Sequence, residues 1–471
     1  MEKKVLTQVS PVVLPWRVKI LYAAGSFSKA LLAVAMAAFM LYFYTDVCGI
    51  DSTVAATIIL IAKIWDIIND PMMGAIIDRT RSKEGKCRFW LKYMSVPGMV
   101  IVALCFFVPE LTTTGKIIWV AVTYVLQGMI STSLLIPFNT MISRLTSDER
   151  QRVQLTQADG IGQMLSQWMV VSLTFTFVGW LGGGDTRKGF LYVGIIYGII
   201  YGIGHLIVYF ATKGYEPVEH SAEPAESVKE RTGSALKDII SSMGAFYRNK
   251  VLMFCGAVAF LYTLGMAVEE GAMVQYVKTD AEALYGIYGT MSMPVAIVIY
   301  LFLDKIVKKL GNARTVIAGS CFTLAGYALG FVTHDATKAI MMTRWFLEGI
   351  GAGLIGAVIL LCVFDSKTYG VWKNNDNDSD AILTASYSLS YKIGMAIGGP
   401  ILGYVLAFVP YEAGAAVQPE NVCNLFFYES TLIPGLIYVA TLIFALLMRK
   451  YEKRIPQMQK EIEERKQKQN A

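Results

Sequence analysis

Four polar residues one turn apart in an otherwise apolar run are the part of this sequence that could do chemistry: Lys63-Ile-Trp-Asp66-Ile-Ile-Asn69-Asp70-Pro71-Met-Met-Gly74. At about 100° per residue, Lys63, Asp66, Asn69 and Asp70 fall within roughly a third of a helix circumference. Two carboxylates so close repel each other, so without a partner one of them holds a proton or a cation. Lys63 neutralises only one. The remaining charge, with the Asn69 amide oxygen, suits a small hard monovalent ion, either sodium or a proton. Pro71 takes away the donor that the Ile67 carbonyl would otherwise have, which adds a bend or an oxygen ligand. A salt-bridge cluster that glues helices together is the alternative, but hydrocarbon spans rarely retain two acids for that purpose.

Other ionisable residues sit in apolar surroundings. Lys29 and Lys392 are single cations that each need an anionic or polar partner. Glu269 and Glu270 either line a substrate cavity or close an outer gate, two readings the sequence leaves equal. Arg344 and Glu348 have the i, i+4 spacing of a local ion pair. His205 reads as a buried, hydrogen-bonded histidine. Gly394, Gly398, Gly399 and Gly403 permit close helix packing. There is no HExxH, GxSxG or GxxxxGK[ST], so hydrolysis of a peptide, an ester or ATP has no basis here, and the chain reads as a non-enzyme. The seven cysteines are scattered without a CxxC, against a zinc site or disulfide framework. No cofactor is expected beyond the coupling ion.

The elements that must hold these residues are membrane spans. Of 471 residues, 55% are hydrophobic and only 17% charged, whereas a soluble domain carries about a quarter. Twelve apolar segments can be marked at 20–43, 54–77, 94–108, 117–142, 161–181, 190–210, 251–276, 284–306, 316–332, 340–364, 384–408 and 432–448, each near the roughly 20 residues a crossing needs. The basic residues form short blocks between them, such as Arg79, Arg81, Lys83, Lys86, Arg88 and Lys92. That is the positive-inside pattern and not a nucleic-acid face. It puts both termini in the cytoplasm. No cleavable signal pattern stands at the N-terminus. A polar stretch at 213–250 separates two six-span halves, so the expected organisation is a bundle at 1–212, a cytoplasmic loop at 213–250, a bundle at 251–448 and a cytoplasmic tail at 449–471, the tail a solvated helix. Paired six-span halves are the plan of major facilitator transporters. The halves echo each other: Asp78-Arg79 then Gly85-Lys86 in the first, Asp304-Lys305 then Gly311-Asn312 in the second. This echo is either a gating-loop signature or ordinary positive-inside chemistry.

At the span-two cluster the sequence resembles the glycoside–pentoside–hexuronide:cation symporter family. The matching run is Lys63, Asp66, Asn69, Asp70, Pro71, Gly74, Asp78, Arg79 and Thr80, then Gly85, Lys86, Arg88 and Trp90. Further matches are Tyr44-Thr45-Asp46-Val47, Ile136-Pro137-Phe138, Asp365 with Tyr369-Gly370 and Trp372, and Lys392-Ile393-Gly394 with Gly398 and Gly399. The resemblance implies an all-α membrane protein with twelve transmembrane helices in two six-helix bundles. It also implies that the cation is held by Asp66, Asn69, Asp70 and Thr132, which favours sodium over a proton, with lithium as a substitute. Asp78, Arg79 and Arg88 would serve the inner gate.

On the sugar side the sequence departs from the family. Ala30, Leu135, Asn139 and Gly160 stand where the family's melibiose carrier has two aspartates, a tryptophan and an arginine. Lys29 and Lys392 persist, leaving a more positive cavity unless Glu269 or Glu270 compensates. The expected substrate set is therefore Lys29, Asn139, Glu269, Glu270 and Lys392, suited to a uronate or another anionic sugar, or to a neutral glycoside. The expected function is sodium-coupled sugar symport in the inner membrane by a monomer that contacts only lipid and its small substrate. A proton-coupled sugar symporter, or a lysolipid or organic-anion carrier of the same fold, is the alternative.

Overall fold

Apolar segments too long for a strand and free of interior helix breakers other than single prolines fold as helices, because in hydrocarbon every backbone group must be paired within its own segment. The computed structural model describes residues 14–146, 149–216, 244, 248–280, 282–334, 337–374, 380–413, 415 and 418–470, with some side chains on these helices (among them those of Pro71, Asp78, Asp304 and residues 282–293) outside the described set. Among the described residues there is no strand. In chain order the helices are α1 (Trp16–Tyr42, continued by a π-helical turn Phe43–Val47), α2 (Ser52–Arg79), α3 (Lys86–Tyr93), α4 (Ser95–Cys105), α5 (Thr113–Leu145), α6 (Glu149–Gly182) and α7 (Thr186–Ala211). They continue as α8 (Lys250–Asp280), α9 (Glu282–Leu310), α10 (Asn312–Thr333), α11 (Lys338–Asn374), α12 (Asp380–Val405), α13 (Glu420–Ser430), α14 (Leu432–Glu452) and α15 (Ile455–Asn470). Among the described residues, ten helical segments are long and apolar enough to cross a membrane, and eleven if α3 and α4, bent by 43°, form one span. α9, at the place of the expected eighth span, runs through residues whose side chains are not described.

Several boundaries differ from the hydropathy reading. The third span starts eight residues early: Lys86, Arg88 and Lys92 lie on α3 and not in a loop. α6 begins at Glu149, twelve residues before the apolar run at 161. α2 continues through Pro71 as one helix. Most of the expected middle loop, 213–250, lies outside the described residues.

The chain divides into two compact units. One comprises Met1–Ala35, Trp65–Val170 and Thr174–Arg231, the other Met36–Ile64, Val171–Leu173 and Thr232–Ala471. In the first, small residues let helices touch. Gly194, Gly198 and Gly202, one every fourth residue on α7, face Phe106, the Met99 carbonyl and the Met99 side chain of α4. Gly162 of α6 does the same for α1, since a methyl there would lie 2.2 Å from the Ala23 carbonyl oxygen.

In the second unit α8 is the central helix. Gly394 and Gly398 of α12 sit against it, within 2.8 Å of Thr263 and the Leu264 carbonyl oxygen if given a Cβ, and Gly403 sits likewise against Ser52 and Ala56 of α2. Gly399, the fourth of these glycines, faces open space. The apolar interior includes Cys255, Val258, Ile355, Val358, Cys362 and Tyr438. Asp46, in the turn after α1, accepts from Gln275 Nε2 of α8 at 2.8 Å. The tail helix α15 is docked as well as solvated: Met458 is buried, and Trp372 Nε1 of α11 donates to Glu461 at 2.5 Å. None of the seven cysteines is in a disulfide.

Candidate functional site

The polar stripe of α2 meets α5 in register. Thr132 Oγ1 donates to Asp70 Oδ1 at 3.0 Å. One turn earlier on both helices, Gly128 faces Asp66 so closely that a Cβ would lie 2.5 Å from Oδ1. Residues four apart share a helix face, so the pair 66/70 on α2 matches the pair 128/132 on α5, with both helices running in the same sense. Asn69 is buried at 2% exposure, and its Nδ2 has no hydrogen-bond partner. Amide oxygen and nitrogen interchange by a half-turn of the side chain, so this group is free to present its oxygen. Two half-buried carboxylates, one hydroxyl and one amide form a set of hard oxygen donors. Such a set suits an alkali cation and offers no soft or nitrogen ligand for a transition metal. Gly128 was not singled out by sequence, although its spacing to Thr132 repeats that of Asp66 to Asp70.

A second polar constellation lies in the same unit on α1, α5 and α6. Lys29 Nζ pairs with Asp159 Oδ1 at 2.7 Å and donates to Asn139 Oδ1 at 3.0 Å. Ser26 Oγ donates to the same Asp159 oxygen at 2.6 Å, and Gln163 Nε2 donates to Asp159 Oδ2 at 2.6 Å. The Lys29 ammonium also sits 4.7 Å from the centre of the Phe138 ring. That ring is held by Tyr22, whose hydroxyl donates to the Phe138 carbonyl at 2.8 Å. The two charged side chains keep 11% and 15% of their exposure, while Asn139 and Gln163 are exposed. Lys29 and Asn139, two of the residues assigned to the substrate by sequence, are thus brought together. Asp159 was missed. It precedes the apolar run at 161, so a hydropathy reading leaves it outside the membrane, yet α6 is already helical there and Gly162 draws it against α1. The sequence signal was the i, i+3, i+4 set Asp159, Gly162 and Gln163.

In the other unit, Glu269 turns inward. It is 7% exposed and accepts the Tyr327 hydroxyl of α10 at 2.6 Å, whereas Glu270 is half-buried. Arg344 and Glu348 form the expected i, i+4 pair at 2.8 Å, fully buried, and Arg344 Nη2 also donates to the Ser430 carbonyl. Lys392 is exposed on α12. His205 is buried, with Nδ1 2.7 Å from the Tyr201 carbonyl oxygen. A groove of about 470 Å³ between α1, α6 and α7 is lined by Ile20, Phe27, Leu165 and Ile203, with Ser28 its single hydroxyl. It fits hydrocarbon and has almost nothing with which to bind a sugar.

The expected gating residues are Asp78, Arg79 and Arg88. The Asp78 side chain lies outside the described residues, and Arg79 is exposed at the end of α2. Arg88 is buried, donating to the Tyr209 carbonyl at 3.0 Å and the Glu84 carbonyl at 2.7 Å with its guanidinium over the Tyr209 ring. Lys92 donates to Glu84 at 2.5 Å and holds that carboxyl below the usual carboxylate range. The echo between the halves has a physical basis here. Gly85 and Gly311, with φ of 101° and 83°, each precede a helix whose first turn donates backbone N–H to an acid distant in sequence, Glu216 beyond the end of α7 and Glu452 at the end of α14. Glu216 accepts from Cys87 N and Arg88 N at 2.8 and 3.0 Å, and Glu452 accepts from Ala313 N at 2.9 Å.

Residues 21–452 match the model of the family described as MFS/sugar transport protein. The chain belongs to this family. It is a membrane transporter of the major facilitator superfamily and not an enzyme, in agreement with the resemblance read from span two. Among its relatives, the isoprimeverose transporter of Lactiplantibacillus pentosus is 28% identical over 464 residues, covering 97% of this chain and 93% of that one. An inner membrane symporter of Escherichia coli (strain K12) is 26% identical over 447 residues, covering 92% and 91%. In fold, this MFS/sugar transport protein is similar to the crystal structure of the nucleoside transporter NupG, with TM-score 0.60 at 15% identity, covering 90% of this chain and 98% of that one.

Proposed function

We propose that this chain is a sodium-coupled symporter that carries a sugar into the cell by alternating access, in the inner membrane, as a monomer with both termini cytoplasmic. The reading is supported by the matched register of α2 and α5: Asp70 already accepts a hydroxyl from Thr132, and Gly128 leaves the space that Asp66 occupies. The sugar half of the reading is supported by the family and by the substrate named for the Lactiplantibacillus pentosus relative.

Asp66 and Asp70 would supply charge to the ion, with Asn69 and Thr132 as neutral ligands. Without the ion, the two carboxylates repel across one turn of α2. With it, the stripe approaches neutrality and the α2–α5 contact tightens. A contact that differs between two conformations biases the equilibrium between them, so sodium and sugar each raise the other's affinity by the same factor. A tenfold mutual effect corresponds to about 1.4 kcal/mol. The bundles 1–212 and 251–448 would be the alternating parts, joined by the loop 213–250 and followed by the tail 449–471.

Uptake into proteoliposomes, with a sodium gradient or a pH gradient imposed separately, tests the coupling. Sodium-stimulated uptake is expected, abolished in both Asp66→Cys and Asp70→Cys. Equal stimulation by a pH gradient alone would make the proton the coupling ion, and unchanged sodium coupling in both variants would remove the site from α2.

A further inference from the structure

Resting on the sugar-symport reading, we infer that Asp159 is the carboxylate that accepts hydrogen bonds from the sugar hydroxyls, and that its pairing with Lys29 makes the carrier select neutral glycosides over uronates. Lys29 by itself would be an anion-binding cation. Here its charge is cancelled at 2.7 Å by Asp159, a second ammonium hydrogen goes to Asn139, and the ammonium stands over the Phe138 ring. A sugar carboxylate arriving at this place meets no net positive charge, and would have to displace Asp159 while bringing a second anion beside it.

The valences left over match hydroxyl groups. A carboxylate has about four acceptor sites. On Asp159, Oδ1 accepts from Ser26 and Lys29 and Oδ2 accepts from Gln163, which leaves an acceptor position on the partly exposed side of the group. Asn139 uses its oxygen on Lys29, so its exposed amide hydrogens remain donors. Gln163 likewise keeps a second N–H. One charged acceptor beside neutral amide donors is the complement of adjacent hydroxyls, each of which donates and accepts. The carboxylates missing from α1 and α5, at Ala30 and Leu135, are thus replaced by one reaching across from α6. Close approach of α1 and α6 at Gly162 makes that reach possible.

The test is sodium-driven uptake in proteoliposomes of two probes, a neutral methyl xyloside or glucoside and the matching methyl glucuronide, by the wild type, Asp159→Asn and the double variant Lys29→Gln/Asp159→Asn. The wild type is expected to take up the neutral glycoside and to discriminate against the glucuronide by tenfold or more. Asp159→Asn should raise KM for the neutral glycoside about 10- to 100-fold, the effect of losing a hydrogen bond to a charged group, and should improve glucuronide uptake because Lys29 is released. The double variant preserves volume and leaves no unpaired charge; it should bind both sugars weakly while retaining sodium binding, measured with ²²Na. That retained binding separates loss of the acceptor from loss of folding. An unchanged KM for the neutral glycoside in Asp159→Asn, or a wild type that prefers the glucuronide, overturns the inference with symport intact. A wild type without sodium-stimulated uptake of either sugar overturns the symport reading itself.

Discussion

Replacing Gly128 by alanine puts a methyl carbon where Asp66 Oδ1 now lies 2.5 Å away. Carbon–oxygen contacts close to no less than about 3.3 Å, so the carboxylate oxygen must retreat by roughly 0.8 Å. The far end of an aspartate side chain moves easily, so the displacement falls on Asp66 and not on the backbone of α2 or α5. A metal site tolerates ligand shifts of only about 0.2 Å, and disturbing the groups that orient a ligand lowers ion affinity about 10- to 100-fold, or about 1.4 to 2.7 kcal/mol. Folding should not suffer, because alanine in a helix interior is favoured over glycine by about 0.5–1 kcal/mol. The expected result for Gly128→Ala is therefore a rise of at least tenfold in the sodium concentration giving half-maximal sugar uptake, at an unchanged or slightly higher melting temperature. Gly74→Ala is the control: it lies on the same helix as Asp66, a methyl there meets nothing within 4 Å, and its sodium dependence should match the wild type. A Gly128→Ala half-saturation within twofold of wild type would refute the argument that Asp66 holds the ion where it faces α5.

Three further outcomes follow from buried or strained contacts. Arg344→Ala strands Glu348 and the Ser430 carbonyl in the interior of the second unit, and loss of one partner of a buried pair costs about 3–5 kcal/mol; a melting temperature in detergent equal to wild type would show that the pair contributes nothing. Gly85→Ala forces a side chain into φ of 101° and to 2.4 Å from the Glu216 carboxylate, a strain of about 1–3 kcal/mol that should appear as faster amide exchange across α3. The hydrogen bond from Trp372 holds the Glu461 carboxyl below its ordinary value. That contribution is fully present above the unfolded carboxylate value of about 4.3 and is lost as pH falls through the lower folded value. Amide protection of α15 should accordingly decline below about pH 4 in the wild type and lose that dependence in Glu461→Gln; protection unchanged down to pH 3 would exclude the linkage.

Much of this was legible in the sequence because it is local. The span-two stripe, the i, i+4 pair of Arg344 and Glu348 and the buried His205 all follow from which residues recur at helical spacing inside apolar runs. The errors share a cause. Hydropathy marks where a segment stops being apolar, not where its backbone stops being helical. Residues 149–160 are polar and helical at once, and Asp159 was lost there; α3 carries Lys86, Arg88 and Lys92 on a helix that composition read as loop. Glu216 and Glu452 went unremarked for a different reason: each caps a helix more than a hundred residues away, and no spacing rule reaches that far.

By itself the sequence determined that this chain is a helical membrane protein, since so few charges leave no other solvent for its surface, and it marked the polar stripe of α2 inside an apolar run. The tertiary structure alone decided which charges cancel. Lys29 looked like an unopposed cation suited to an acidic sugar until α6 brought Asp159 to 2.7 Å. Ion pairing is settled by helix register and by the close approach a single glycine permits, and neither is written in the local order of residues.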